Sequence, residues 1–158
     1  MASKKKLAVT TAIATFACGC FWSKEYWWQQ LEGVQSTLVG FTGGHVAHPN
    51  YKLVCRKQTG HAEAVKLQYN PSKIRFEDLA RYFFNMHDPT IDRSGNGGQY
   101  RSAIFYHTPT QHIVAKQLIA QLKSDGYDVK TRLEAATIFY TASARHQKYC
   151  SSRKMIPR

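Results

Sequence analysis

Acidic residues are scarce in this chain: 10 Asp and Glu stand against 22 Lys and Arg, leaving a formal net charge of +12. A surface of that sign attracts anions, nucleic acid among them. The basic residues, however, fall in short scattered runs, Lys4-Lys5-Lys6, Arg56-Lys57 and Arg153-Lys154, with no recognition signature around them. A solvated basic surface is therefore expected, with no specific nucleic-acid partner. Cysteine is also sparse, with four in 158 residues and no CxxC pair. That argues against a disulfide scaffold and a paired-cysteine metal site, and points to a reducing, cytoplasmic setting with no metal or cofactor. No apolar run approaches the ~20 residues of a membrane span, so no membrane association is expected. The chain shows no repeat, low-complexity tract or linker, so one domain over residues 1–158 is expected; a monomer is the expected state.

What is present alternates between strand and helix signals. Leu7 to Ala17, rich in Val, Ile, Thr and Phe, predicts a strand. The start of the chain faintly imitates a signal peptide, or a lipoprotein signal ending at Cys18, but its apolar run is short and threonine-rich and reads better as that strand. A helix to about Leu31 follows, then a strand from Ser36 to Phe41 and a long irregular segment from His45 to Gly60. His61 to Tyr69 alternates, which puts Glu63 on the same face as Val65, Leu67 and Tyr69 and predicts a carboxyl on the buried side of a strand. Phe76, Leu79, Phe83 and Met86 mark a helix ending near His87-Asp88-Pro89. The glycine-rich stretch from Thr90 to Gln99 lacks the Lys-Ser/Thr and the following helix of a phosphate cradle, and leads into a strand from Ala103 to His107. Thr108-Pro109 opens a helix with Val114, Leu118 and Leu122 inward, ended by Gly126. Val129, Thr131 and Leu133 then alternate as a strand, Ala136 to Tyr140 runs extended, and Ser143 to Arg153 predicts a last helix. The mixture predicts an α/β (α+β) two-layer sandwich around one mixed sheet.

Two residues carry candidate chemistry. Cys20 lies between Gly19 and the aromatic pair Phe21-Trp22, at a predicted helix N-terminus. Unpaired amides and the helix dipole favour an anion there, so a thiolate is expected at lower pH than in a free cysteine. A nucleophile and a buried cysteine among core aromatics both fit that one residue. Glu63 also has two readings: an acid whose pKa burial raises, or a strand-end carboxylate paired with one of the many cations. A proton donor beside a thiolate suits attack on a polar, oxygen-bearing electrophile.

Seven segments decide between these readings. They are Gly19-Cys20-Phe21-Trp22, Gly40-Phe41-Thr42-Gly43-Gly44-His45, Asn50-Tyr51, Thr59-Gly60-His61-Ala62-Glu63-Ala64-Val65, His87-Asp88-Pro89, Gln99-Tyr100-Arg101-Ser102 and His146-Gln147-Lys148-Tyr149. In their order, and from about Phe16 to Tyr149, they resemble the motifs of peptide methionine sulfoxide reductases of the A type. The resemblance implies a ferredoxin-like sandwich with additional elements and reduction of methionine S-sulfoxide, free or in proteins. It implies that Cys20 attacks the sulfoxide sulfur while Glu63 protonates the leaving oxygen. Tyr51 and Tyr100 would hydrogen-bond that oxygen, Phe21 and Trp22 would wall an apolar pocket for the S-methyl group, and His146 and Tyr149 would support them. Cys20 would become a sulfenic acid and condense with a second thiol, and thioredoxin would open the disulfide. Cys150 resembles the family's recycling cysteine, with Cys18 in reserve, and Cys55 stands where members carry a structural, buried one.

Three departures from the family pattern are visible. Gly95-Asn96-Gly97-Gly98 is shorter than the loop of many relatives and lacks their aspartate, for which Asp92 is a weak substitute. Ser23 stands where some members have a cysteine, and the chain ends soon after Cys150, so a one-step relay is expected. A thiol peroxidase and a basic nucleic-acid-binding module are the competing functional readings.

Overall fold

The computed structural model describes residues 11–157, apart from the side chain of Asn96. Eleven regular elements run in the order β1 (Ala12–Cys18), α1 (Phe21–Gln29), β2 (Val34–Thr42), α2 (Tyr51–Cys55), β3 (Ala62–Tyr69), α3 (Phe76–Asn85), β4 (Ser102–Tyr106), α4 (Pro109–Ser124), β5 (Arg132–Ala135), β6 (Tyr140–Thr141) and α5 (Tyr149–Ser152). The strands form one sheet in the order β5-β4-β1-β3-β2-β6. The β4-β5 pair is parallel and the others are antiparallel, so the sheet is mixed as expected. Its inner four strands, β4-β1-β3-β2, with α1 and α3 as the two crossovers, are the ferredoxin-like kernel; α2, α4, α5, β5 and β6 are additions. Leu7 to Thr10, the start of the predicted first strand, lie outside the described residues.

The helices α1, α3 and α4 cover one face of the sheet. There Phe16 of β1 stacks on Trp28 at 4.8 Å, Phe83 at 5.2 Å and Phe76 at 5.8 Å between ring centroids. Val65, Leu67 and Tyr69 of β3 point into the same core. Ala17, Ala62, Ala64, Ala103 and Phe105 face the other side, where Ala136 and Phe139 pack against them. Small residues on that face let a loop, rather than a layer of helices, close it.

Local signals set most boundaries. Thr108 Oγ1 accepts the Gln111 N–H at 3.1 Å and Pro109 follows as the first helical residue, so α4 begins where predicted. Its inward stripe differs slightly: Gln111, Ala115 and Leu118 are the buried positions, because the Gln111 side chain bridges the His107 N–H and the Ile13 carbonyl. Two expectations need correction. The segment 45–60 contains α2, started by Asn50, whose Oδ1 accepts the Leu53 N–H at 2.8 Å. The predicted last helix from Ser143 to Arg153 is instead a 3-10 turn, Ala144–His146, followed by the short α5. Gln147 interrupts it by bonding to the backbone of Val39 and Ala142, and Lys148 adopts φ +55. Tertiary hydrogen bonds here override helical propensity.

The aromatic stack around Phe16 joins β1 to α1 and α3. Replacing Phe16 with Ala is expected to cost about 3–5 kcal/mol, measured as a lower midpoint in urea unfolding; a loss below about 1 kcal/mol would show that the stack does not hold the sheet to its helices.

Candidate active site

β1 ends at Cys18, and Gly19, at φ +112, turns the chain so that Cys20 flanks the start of α1. The Phe21 N–H, one of the donors a helix leaves unpaired in its first turn, donates to Glu63 Oε1 at 3.2 Å. From the other side, Gln99 Nε2 donates to Glu63 Oε2 at 2.7 Å. The Gln99 carbonyl also accepts the Glu63 N–H at 2.9 Å, so one residue holds both the backbone and the carboxyl of Glu63. Lys57 Nζ donates to Gln99 Oε1 at 3.2 Å, which fixes how the amide is turned. Glu63 is only 1% exposed. Among the described residues no Lys or Arg forms an ion pair with it. Burial therefore raises its pKa above the ordinary carboxyl value, against the bonds from Gln99 and Phe21 and the more distant charge of Lys57.

The expected low-pH thiolate at Cys20 does not hold. Burial raises its pKa, and the charge of Glu63 raises it further. Backbone donors at Trp22 and Ser23, and Lys24, pull it down as the helix end should, but they do not offset desolvation. Glu63 opposes the thiolate only when ionised, so a proton on the carboxyl favours the anion on the sulfur.

Tyr51 opens α2, and Tyr100 follows Gln99 at the end of the glycine-rich loop. Burial first, and the charge of Glu63 among other causes, raise both phenols, Tyr100 to about 12, so both carry protons to donate at neutral pH. Phe21 is buried against Phe41, Tyr51 and His146, with centroid distances of 5.6, 6.3 and 5.7 Å. The half-buried Trp22 donates its indole N–H to His146 Nδ1 at 3.0 Å and stacks on Tyr149 at 3.8 Å. His146 is neutral, its pKa lowered by burial, and with Nδ1 accepting it carries its proton on Nε2, a buried atom with no bonding partner among the described residues. The structure thus brings the predicted residues Cys20, Phe21, Trp22, Tyr51, Glu63, Tyr100, His146, Tyr149 and Cys150 to one end of α1.

Cys150 is buried on α5, which packs against α1. After burial, the charge of Cys20 is the next largest influence raising its pKa, so the two sulfurs lie within each other's field. A latch holds this segment in place: Glu25 accepts the Lys148 N–H at 2.7 Å, Lys148 Nζ at 3.1 Å and Thr37 Oγ1 at 2.7 Å. Cys18 is buried, which pushes its thiol up to about 12. Cys55, expected to be buried, is half-exposed at the edge of the site, its Sγ 3.4 Å from Gln99 Nε2. Gln99 and Glu25 received no role from the sequence. Glu25 lies on the buried stripe Phe21-Glu25-Trp28 of α1, an i, i+4, i+7 pattern that marks an inward carboxylate.

A helix-end thiol, a buried carboxyl of raised pKa and two phenols on this frame define a cysteine-dependent oxidoreductase. Residues 12–157 match the family described as peptide methionine sulfoxide reductase. The chain is 47% identical to peptide methionine sulfoxide reductase MsrA 1 of Rhodopirellula baltica, over 87% of this chain and 73% of that protein. It is 44% identical to peptide methionine sulfoxide reductase MsrA of Acidobacterium capsulatum, over 90% of this chain and 95% of that protein. The crystal structure of Mxr1 from Saccharomyces cerevisiae in reduced form superposes with a TM-score of 0.83 at 28% identity, covering 95% of this chain and 91% of that one. The chain belongs to the peptide methionine sulfoxide reductase family. Its activity is the thiol-dependent reduction of methionine sulfoxide.

Replacing Glu63 with Gln removes the charge that raises Cys20. The Cys20 thiolate, followed by its ultraviolet absorbance, is expected to appear at lower pH in Glu63→Gln than in the native chain, and an unchanged or higher midpoint would show that the two groups do not interact.

Proposed function

We propose that Cys20 is the nucleophile and Glu63 the proton donor in reduction of the S epimer of methionine sulfoxide, free or protein-bound. The observation that carries this reading is the 3.2 Å bond from the Phe21 N–H to Glu63, which ties the carboxyl to the helix end bearing the thiol. The Cys20 sulfur attacks the sulfoxide sulfur, and the proton of Glu63 passes to the oxygen, which Tyr51 and Tyr100 hold by hydrogen bonds. That attack joins the two sulfurs, and the oxygen takes a second proton and leaves as water. A water molecule then attacks the Cys20 sulfur, returning that second proton and breaking the sulfur-sulfur bond. Methionine departs, its sulfur reduced by two electrons, and Cys20 is left as a sulfenic acid, oxidised by two. Phe21 and Trp22 wall the S-methyl group, and His146 and Tyr149 hold Trp22 in place.

The Cys150 thiol then displaces water from the sulfenic acid, forming a Cys20-Cys150 disulfide. The packing of α5, which carries Cys150, against α1, whose start Cys20 flanks, supports Cys150 in this role. Thioredoxin, as a dithiol, reduces the disulfide and closes the cycle. Among the described residues no helix is long and apolar enough to cross a membrane. We read the chain as one reductase domain, a monomer in the reducing cytoplasm with no specific nucleic-acid partner.

Three variants test the assignment. Cys20→Ser is expected to lose turnover, and normal turnover would remove it as the nucleophile. Glu63→Gln is expected to slow single-turnover methionine release at neutral pH by about 100-fold or more; a rate equal to the native one would remove the acid role. Cys150→Ser is expected to release one equivalent of methionine and then stall with thioredoxin, whereas sustained cycling would assign resolution to another thiol.

A further inference from the structure

Beside the reaction centre lies a cavity of about 250 Å³ lined by Lys57, Asp92, Arg93, Gly95, Gln99 and Tyr100. Its floor is shared with the proposed machinery, since Gln99 holds Glu63 and Tyr100 faces the reacting oxygen in the reading above. Two cations point to it. Arg93 Nη1 lies 3.2 Å from where a Cβ on Gly19 would stand, one residue before the nucleophile, and Lys57 Nζ lies 5.7 Å from the centre of the Tyr100 ring. Among the described residues neither cation forms an ion pair. Asp92 is the one acid on the lining, and its Oδ1 is already taken by the backbone and hydroxyl of Ser94, at 2.9 and 2.6 Å. The lining therefore carries two cations against one carboxylate, a net positive charge.

We infer that this cavity is an anion subsite, which takes a carboxylate carried by the substrate close to its sulfoxide. The inference rests on the reductase reading and extends it to substrate choice. A planar carboxylate suits the fork of the Arg93 guanidinium, with Lys57 adding a point charge. Because Lys57 also orients Gln99, the geometry gives the selective contact to Arg93. The carboxylate has two sources: the α-carboxylate of a free or C-terminal methionine sulfoxide, or an acidic side chain next to an internal one.

The test compares four S-sulfoxide substrates with dithiothreitol as reductant at low salt: N-acetylmethionine sulfoxide, its carboxamide, and two end-blocked peptides with Glu or Gln beside the oxidised methionine. In the native enzyme the ratio of kcat/KM, carboxylate over neutral partner, is expected to be about five in at least one pair and to fall as salt is raised. The acetyl pair showing it assigns the α-carboxylate, and the peptide pair a flanking side chain. In Arg93→Gln that ratio is expected to drop to about one, in Arg93→Glu below one, and in Arg93→Lys to recover in part. Ratios near one in both native pairs, or a native ratio unaltered in Arg93→Gln, would overturn the inference. No turnover of any of the four would instead contradict the reductase reading itself.

Discussion

The site depends on a carboxyl kept in an apolar setting by hydrogen bonds alone. Glu63 occupies the second position of β3, on the face that otherwise presents Val65, Leu67 and Tyr69 to the core. A neutral amide, Gln99, and a backbone donor, Phe21 N–H, meet its two oxygens, where a cation would have fixed it as a carboxylate. That difference leaves desolvation as the dominant influence and raises the pKa of the carboxyl above its ordinary value. Coupled to it, Cys20 is a better anion when Glu63 is protonated, so acid and nucleophile favour each other's working forms.

The elements around this pair exist to hold it. Arg101, 6% exposed, bonds Glu134 and the carbonyls of Gly43, Gly60 and Gly98, drawing together the loops that deliver Glu63, Gln99 and Tyr100. A side chain at Gly43 would collide with that guanidinium at 2.5 Å, so the glycine there serves a close approach as well as its φ of +84. His87 bridges the Phe83 carbonyl and Ser102 Oγ, tying the end of α3 to the start of β4, and burial lowers its pKa to about 4, so it is neutral. On the far side, Glu25, Thr37 and Lys148 fasten the segment that carries Cys150 against α1. The ion pair between buried Glu25 and partly exposed Lys148 places the second thiol, which leaves Trp22 and Tyr149 stacked over the same end of the helix.

Much of this was legible in the residues. Alternation along His61 to Tyr69 placed Glu63 on the buried face, because a strand's period of two leaves no other choice once Val65 and Leu67 are core. The glycine before Cys20 and the helix-forming run after it placed the thiol at a helix end. The thiol's ionisation was not legible, since a sequence shows the helix-end amides but not the burial that outweighs them. Cys55 was misplaced as a buried residue because α2, hidden in a segment read as irregular, turns it toward Gln99; Asn50 before Tyr51-Lys52-Leu53 was the cap signal that would have revealed it. The broken last helix was illegible in principle, because Gln147 and Lys148 are held by partners over 100 residues away, at Val39 and Glu25.

The central claim is that Glu63 is un-ionised where an ordinary carboxyl is charged. Infrared difference spectroscopy across a pH titration, comparing the native chain with Glu63→Gln, reads this from the stretching band of the un-ionised carboxyl. A band absent from the variant should persist above the ordinary carboxyl pKa of 4.5. Its loss at or below that ordinary value would contradict the account.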